Sequence, residues 1–417
     1  MSSTTPHTPR FRFVFTVLFL FACTTITVAQ HEGGVTGGGM IGGSTSRPTS
    51  KPATKPTSTT KKKPAVTTTT KKPATTSPTG SNPTGSNSTT GTYKPPTGTA
   101  NADYYYQQGE ALYNAKKYRE ALEPYERASE LNPSMSSAFY RRGWIHNDLE
   151  EYEEAIEPLQ RAVSLNSNYA AAYFELGYAY KKLDRFNESL AAFQQCVRAK
   201  PDYASAHYEI GWVQNDLKNY NEAIRSLRLA LQYRADYPEA RNEIGYALRN
   251  LGRNQEAVQE YQEAIRIKPD FGLAHLGLAD VYYYNLKQYA DAARSYKEGL
   301  RLRPDNVTAL YNLGWCYNDL ERHPEAIEAL RKAVSLKPTY AEAYNELGYA
   351  LHQLTRYVEA IQAYQSAIRN KADYPSAHYN LGMSFIAMRN RNGALEQYRI
   401  LQRIDAARAT KLFNQIK

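Results

Sequence analysis

A glycine returns along this chain every 34 residues. Gly109, Gly143, Gly177, Gly211, Gly245, Gly314, Gly348 and Gly382 share one register, with Ala279 filling the gap and one extra residue between Ala279 and Gly314. A fixed period of this kind restricts the fold more than composition does, because repeated units stack in a row and touch only their neighbours. In the unit from Ala341 to Tyr374, AEAYNELGYALHQLTRYVEAIQAYQSAIRNKADY, Tyr344, Leu347, Leu351 and Leu354 form one apolar stripe. Tyr357, Ala360, Ile361, Tyr364 and Ile368 form a second, and both stripes have helical spacing. The unit reads as two amphipathic helices joined at Thr355 and Arg356. Gly348, Ala360 and Ala367 are small enough to let the two backbones approach to the ~8–10 Å of close helix packing.

Nine such hairpins are expected, over 102–135, 136–169, 170–203, 204–237, 238–271, 272–306, 307–340, 341–374 and 375–408. Alanine columns on the second helices support the register, among them Ala121, Ala155, Ala223 and Ala257, and Ala128, Ala162, Ala230 and Ala264. Pro133, Pro201, Pro269, Pro304 and Pro338 end second helices, while Pro238 and Pro375 open the next first helix, where a preset φ suits the first turn. Asp405 is placed to cap a last helix within 405–417 whose Leu412, Phe413 and Ile416 cover repeat nine.

These columns resemble the tetratricopeptide repeat (TPR) family, over about 307 of the 417 residues. The resemblance implies an all-α fold, an alpha-alpha superhelix with the first helices lining its concave side, where extended peptides or partner segments lie. It also implies a scaffold without catalysis or cofactor. The Lys and Asn columns by which chaperone-binding members grip a carboxylate tail hold aromatics here, so such a tail is not the expected ligand.

The first hundred residues differ in kind. Residues 1–29 carry Arg10 and Arg12, the apolar run Phe13–Cys23 and the small Thr27 and Ala29, the layout of a secretory signal peptide. Lipoprotein processing, with Leu20-Phe21-Ala22 ahead of an acylated Cys23, and an uncleaved anchor are the alternatives. All three give an exported protein, whether periplasmic, associated with the cell envelope or secreted. Residues 30–101 are Thr, Pro, Ser, Gly and Lys without helical or strand period, the composition of a disordered linker.

Of the 51 Lys and Arg, 11 lie in residues 1–101 against Glu32 alone, which leaves 40 basic and 40 acidic residues in 102–417. The basicity therefore belongs to the linker, densest at Lys61, Lys62, Lys63, Lys71 and Lys72. It is either a solvated spacer or a polycation for an anionic membrane surface or acidic cell-wall glycan. A neutral repeat array argues against nucleic acid as a partner.

No metalloprotease, nucleophile-elbow or phosphate-loop motif occurs. Gly37 to Gly42 fits a dinucleotide fingerprint only in letters, since it lies in the low-complexity tract without strand or helix. His207, His275 and His378 share a helical column but stand two and three repeats apart, too far for one metal, and read as packing residues. Cys196 and Cys316 lie more than three repeats apart, so no disulfide is expected.

The candidate binding surface comes from two aromatic columns. The residue after each glycine reads Glu110, Trp144, Tyr178, Trp212, Tyr246, Asp280, Trp315, Tyr349 and Met383, and holds all 3 tryptophans. The residue three before it reads Tyr106, Tyr140, Phe174, Tyr208, Asn242, Leu276, Tyr311, Asn345 and Tyr379. Repeats two, four and seven share GW-x-x-ND, giving Asn147-Asp148, Asn215-Asp216 and Asn318-Asp319, and each is followed by a GY repeat. Repeats four to six also resemble seven to nine, as a block duplication would. Aromatic faces beside amides and carboxylates suit a peptide with aromatic or proline side chains, or a sugar ring. Packing of each Trp against the neighbouring repeat is the other reading of the same column.

Overall fold

A computed structural model describes residues 101–417, and every regular element among them is a helix. The signal-peptide and linker readings, with Cys23 and the lysine cluster, lie outside the described residues. The hairpins are α1 (Ala102–Asn114) with α2 (Tyr118–Leu131), α3 (Ser136–Asp148) with α4 (Tyr152–Leu165), and α5 (Ala170–Lys182) with α6 (Phe186–Ala199). Then come α7 (Ala204–Asp216) with α8 (Tyr220–Tyr233), α9 (Pro238–Asn250) with α10 (Asn254–Ile267), and α11 (Gly272–Asp280) with α12 (Tyr289–Leu302). The last are α13 (Val307–Asp319) with α14 (His323–Leu336), α15 (Ala341–Gln353) with α16 (Tyr357–Asn370), α17 (Pro375–Ala387) with α18 (Arg391–Ile404), and the single α19 (Ala406–Ile416).

The glycine column is explained by what faces it. A Cβ on Gly143 would stand 2.3 Å from Leu159 Cγ, and one on Gly348 would stand 2.6 Å from a ring carbon of Tyr364. The first helix is bare there so that a large side chain of the second can lie flat across it. Leu159, Phe193, Leu227 and Leu330 are fully buried in that position, and Tyr364 nearly so.

Each hairpin turn has the same chemistry. Glu150 adopts φ of 61°, its N–H bonds Asn147 O, and the N–H of Glu151 reaches back to His146 O. This left-handed cap satisfies the open carbonyls of the first helix. It recurs at Lys116, Asp184, Lys218, Lys287, Glu321, Thr355 and Arg389, with Gly252 the one glycine in the series.

The extra residue of repeat six is absorbed inside its first helix. Val281–Asn285 forms a single π-helical turn directly after α11, which inserts one residue without breaking the helix. Tyr283 and Tyr284 project from that turn. The histidine column staples the connections between repeats: Nε2 of His207, His275 and His378 meets the carbonyls of Pro201, Pro269 and Ala372, at 2.8, 3.1 and 2.9 Å. Cys196 and Cys316 are buried and form no disulfide with each other, and burial pushes each thiol up to about 12. No helix among the described residues is long and apolar enough to cross a membrane.

Candidate functional site

First helices of successive repeats pack directly on one another, as α3 on α5, α7 on α9, α13 on α15 and α15 on α17, whereas no two second helices pack comparably. The stack is therefore tighter along its first helices and curves toward them. Side chains one residue after, three before and four after each glycine share that inner face.

The asparagines of the GW-x-x-ND repeats are buried in joints between repeats, and Asn318 also lines a hollow beside Trp315. Asn147, Asn215 and Asn318 are 4%, 3% and 5% exposed. Asn147 Nδ2 donates to the backbone oxygen of Glu175 at 2.9 Å and to its carboxylate at 3.0 Å. Asn215 repeats this on Glu243 at 3.0 and 3.1 Å, and Asn318 on Glu346 at 3.2 and 3.3 Å. Each amide thus joins a GW repeat to the GY repeat that follows, by a bond to a carboxylate of that repeat. A Glu two residues before the glycine, as in ELGY and EIGY, was the signal for these joints. Phe174 also leaves the surface: it is 6% exposed and stacks on Tyr203 at 5.1 Å.

The other aromatics have two neighbours each. In the earlier column, Tyr140, Tyr208 and Tyr311 lie 4.9, 5.0 and 4.9 Å from Tyr169, Tyr237 and Tyr340, which directly precede the next first helix. Those partner tyrosines were not recognised from sequence, although NY, DY and TY steps mark them. In the column after the glycine, each ring except that of Trp315 packs on the residue that opens the preceding second helix. Trp144 meets Tyr118 at 5.6 Å, Tyr178 meets Tyr152 at 6.2 Å, Trp212 meets Phe186 at 6.3 Å, and Tyr246 meets Tyr220 at 6.3 Å. Trp315 lies 5.8 Å from Tyr283, and Tyr349 6.0 Å from His323. The three tryptophans are half-buried, and Tyr349 is 37% exposed. Of the Asp residues, Asp148 and Asp216 are exposed, and Asp319 accepts a bond from the Tyr283 hydroxyl at 2.7 Å.

Charge along this face is arranged by position. Arg141 pairs with Glu110 at 2.7 Å, Lys181 with Glu209, and Arg249 with Asp280 at 2.8 Å. Glu243 receives only the amides of Asn215 and Asn242, and burial pushes its carboxyl up to about 6. The folded chain therefore holds a proton that the unfolded chain releases near the ordinary value of 4.5. Stability from this group is present below that value and declines as pH rises to about 6, by about 1–2 kcal/mol. Chemical denaturation at pH 4.5 and 7 should show that decline, and Glu243→Gln should lessen it. An unchanged pH slope in the variant would exclude Glu243 as its source. Glu188, Glu256 and Glu325, held low by adjacent arginines, act with opposite sign and only below the ordinary carboxylate value.

A row of antiparallel helix hairpins with an aromatic inner face defines a helical-repeat solenoid. Sequence models described as tetratricopeptide repeat match residues 102–135, 170–203, 204–237, 276–341 and 319–375, and one described as TPR repeat matches 143–184 and 245–285. The chain belongs to the tetratricopeptide-repeat family. No curated protein sequence matches it. Among solved structures, it is similar to a crystal structure of MamA, with 23% identity and a TM-score of 0.39 over 40% of this chain and 92% of that one. YrrB, described as a TPR protein with an unusual peptide-binding site, shows 23% identity and a TM-score of 0.40, over 45% and 95%. The C-terminal part of a TPR protein from Cytophaga hutchinsonii shows 16% and 0.49, over 58% and 99%.

Proposed function

We propose that the chain is an exported, non-enzymatic scaffold that holds an extended protein or peptide segment along the inner face of its first helices. The observation that carries this reading is the row of half-open rings, Trp144, Tyr178, Trp212, Tyr246, Trp315 and Tyr349, fixed at one position per repeat by packing on the repeat before. Rings immobilised in advance lose little entropy on binding, and they combine apolar area with room for hydrogen bonds beside them. A non-catalytic role is supported by how the inner carboxylates are used, since Glu110, Glu175, Glu209, Glu243, Asp280, Asp319 and Glu346 each accept from an amide, hydroxyl or cation of a neighbouring repeat. Export rests on the charged, apolar and small-residue order of residues 1–29.

Site-specific photocrosslinking in the producing cells tests this. A photoreactive side chain at Tyr349 should capture a polypeptide, and one at Val358, 59% exposed on a second helix, should not. Changing Trp144, Trp212 and Trp315 together to alanine should lower capture at Tyr349 at least tenfold while far-UV circular dichroism stays helical. Equal capture at both positions, or capture of polysaccharide alone, would overturn the reading.

A further inference from the structure

We infer that the hollow between repeats seven, eight and nine is a seat for a cationic side chain, a lysine or arginine presented by an extended peptide. This rests on the peptide-groove reading and names the chemistry of one subsite within it. The hollow has a volume of about 390 Å³, within the ~300–1,000 Å³ of small-ligand sites, and Trp315, Tyr349, Tyr379, Asp319 and Glu346 line it. Three rings and two carboxylates therefore converge on one space. Glu346 accepts from Asn345 Nδ2 at 3.1 Å and from Asn318 Nδ2 at 3.3 Å, both neutral donors. Burial raises its pKa, Asp319 adds to the rise, and no cation opposes it. Arg408 also lines the hollow, and its Nη1 bonds the Asp405 carboxylate.

The chain contains its own precedent for what such a space holds. The GW and GY pair has three copies, and four residues after the glycine of the GY repeat they carry Lys181, Arg249 and His352. The Lys181 ammonium lies 4.6 Å from the Trp212 ring and 5.5 Å from that of Tyr178, and bonds the Glu209 carboxylate. Arg249 lies 5.7 Å from the Tyr246 ring and pairs with Asp280. A ring-and-carboxylate cage around a cation is thus built twice from within the chain. In the third copy His352 stands at that position, bonded to Ser384 Oγ at 2.8 Å, and burial favours its neutral form. The following repeat supplies Asn380 and Met383 where the first copy has Glu209 and Trp212. The internal cation is gone, while the carboxyl groups of Asp319 and Glu346 remain in the hollow beside the rings of Trp315, Tyr349 and Tyr379. A partner's ammonium or guanidinium completes the arrangement through ring contact and charge-assisted hydrogen bonds.

The full chain labelled with 5-fluorotryptophan gives three fluorine resonances, with that of Trp315 identified by Trp315→Phe. Capped nonapeptides of Gly and Ser with a central Lys, Arg, norleucine or Glu are the probes. The Lys and Arg peptides should shift the Trp315 resonance at least tenfold more tightly than the norleucine peptide, and added salt should weaken them. Glu346→Gln should lower their affinity at least tenfold, and so should Asp319→Asn, which leaves the Asn318–Glu346 joint intact. Unmoved Trp144 and Trp212 resonances report a preserved fold. Equal binding of the norleucine peptide overturns the cation seat and leaves the groove reading standing, as does preferential binding of the Glu peptide through Arg408. No shift of Trp315 by any peptide overturns the seat, and with failed capture at Tyr349 it overturns the groove as well.

Discussion

Replacing Arg249 with methionine is expected to cost about 3–5 kcal/mol, the largest loss from any single polar side chain in the array. Its partner Asp280 has a side chain only 5% exposed and stands where six of the other repeats carry an aromatic. Asp280 also accepts from the Tyr296 hydroxyl at 2.6 Å, Asn312 Nδ2 donates to that hydroxyl at 3.2 Å, and the Tyr284 hydroxyl donates to Asn312 Oδ1 at 2.9 Å. The network ties repeats five, six and seven together across the π turn. Removing the guanidinium strands a buried carboxylate, whereas replacing both partners with apolar groups removes the charge and its burial penalty together. Arg249→Met with Asp280→Leu should therefore recover most of the lost stability. Denaturation followed by hydrogen exchange at repeats five to seven checks this, because an array of repeats need not unfold in one step. A double-variant loss equal to the sum of the losses from Arg249→Met and Asp280→Leu alone would show that the two groups are not coupled.

That network marks the boundary of what the sequence discloses. The period, the hairpin and its turn are legible, since each follows from spacing, from small residues opposite large ones, and from a cap geometry that depends on backbone alone. The extra residue of repeat six is also visible, but its location is not. Tyr284 shows where it falls: it bonds Asn312, 28 residues on, the separation at which Asn147 bonds Glu175. The insertion therefore lies ahead of Tyr284, and the π turn places it there. The aromatic columns were legible as columns, while their division into packed and open faces depends on the residue that opens the preceding second helix. The Asn-Asp steps misled for a related reason. Asn147 and Asp148 are adjacent in sequence yet point to different surroundings, one into the joint with Glu175 and one to solvent. A polar pair read without its neighbour in the next repeat cannot show which member is buried. Comparing columns across repeats, and not within one, finds the Glu that answers each Asn.

The same dependence on neighbours makes the last helix a sensitive point. α19 packs on α17 and α18, and it closes the apolar face that repeat nine would otherwise present to water. Leu412 is fully buried, Ile416 is 9% exposed and Phe413 stacks on Tyr398 at 4.9 Å. Leu412 lies so close to Gly382 that a Cβ there would stand 2.6 Å from Leu412 Cδ2. In this repeat the leucine of the cap therefore fills the place that a second-helix side chain fills in the others. Leu412→Ala should cost about 2–5 kcal/mol through lost burial and the cavity left behind. The loss should be confined by the one-dimensional packing: amide exchange in α17 and α18 should accelerate, and that in α1 to α6 should not change. Uniform acceleration along the array would mean that the repeats unfold as one cooperative body. In the expected case repeats eight and nine fray, Tyr379 and Asn380 lose their place, and the hollow around Trp315 opens with them. The terminal helix then acts on binding through the fold alone, and a peptide seated in that hollow should slow exchange in α17 of the wild-type chain.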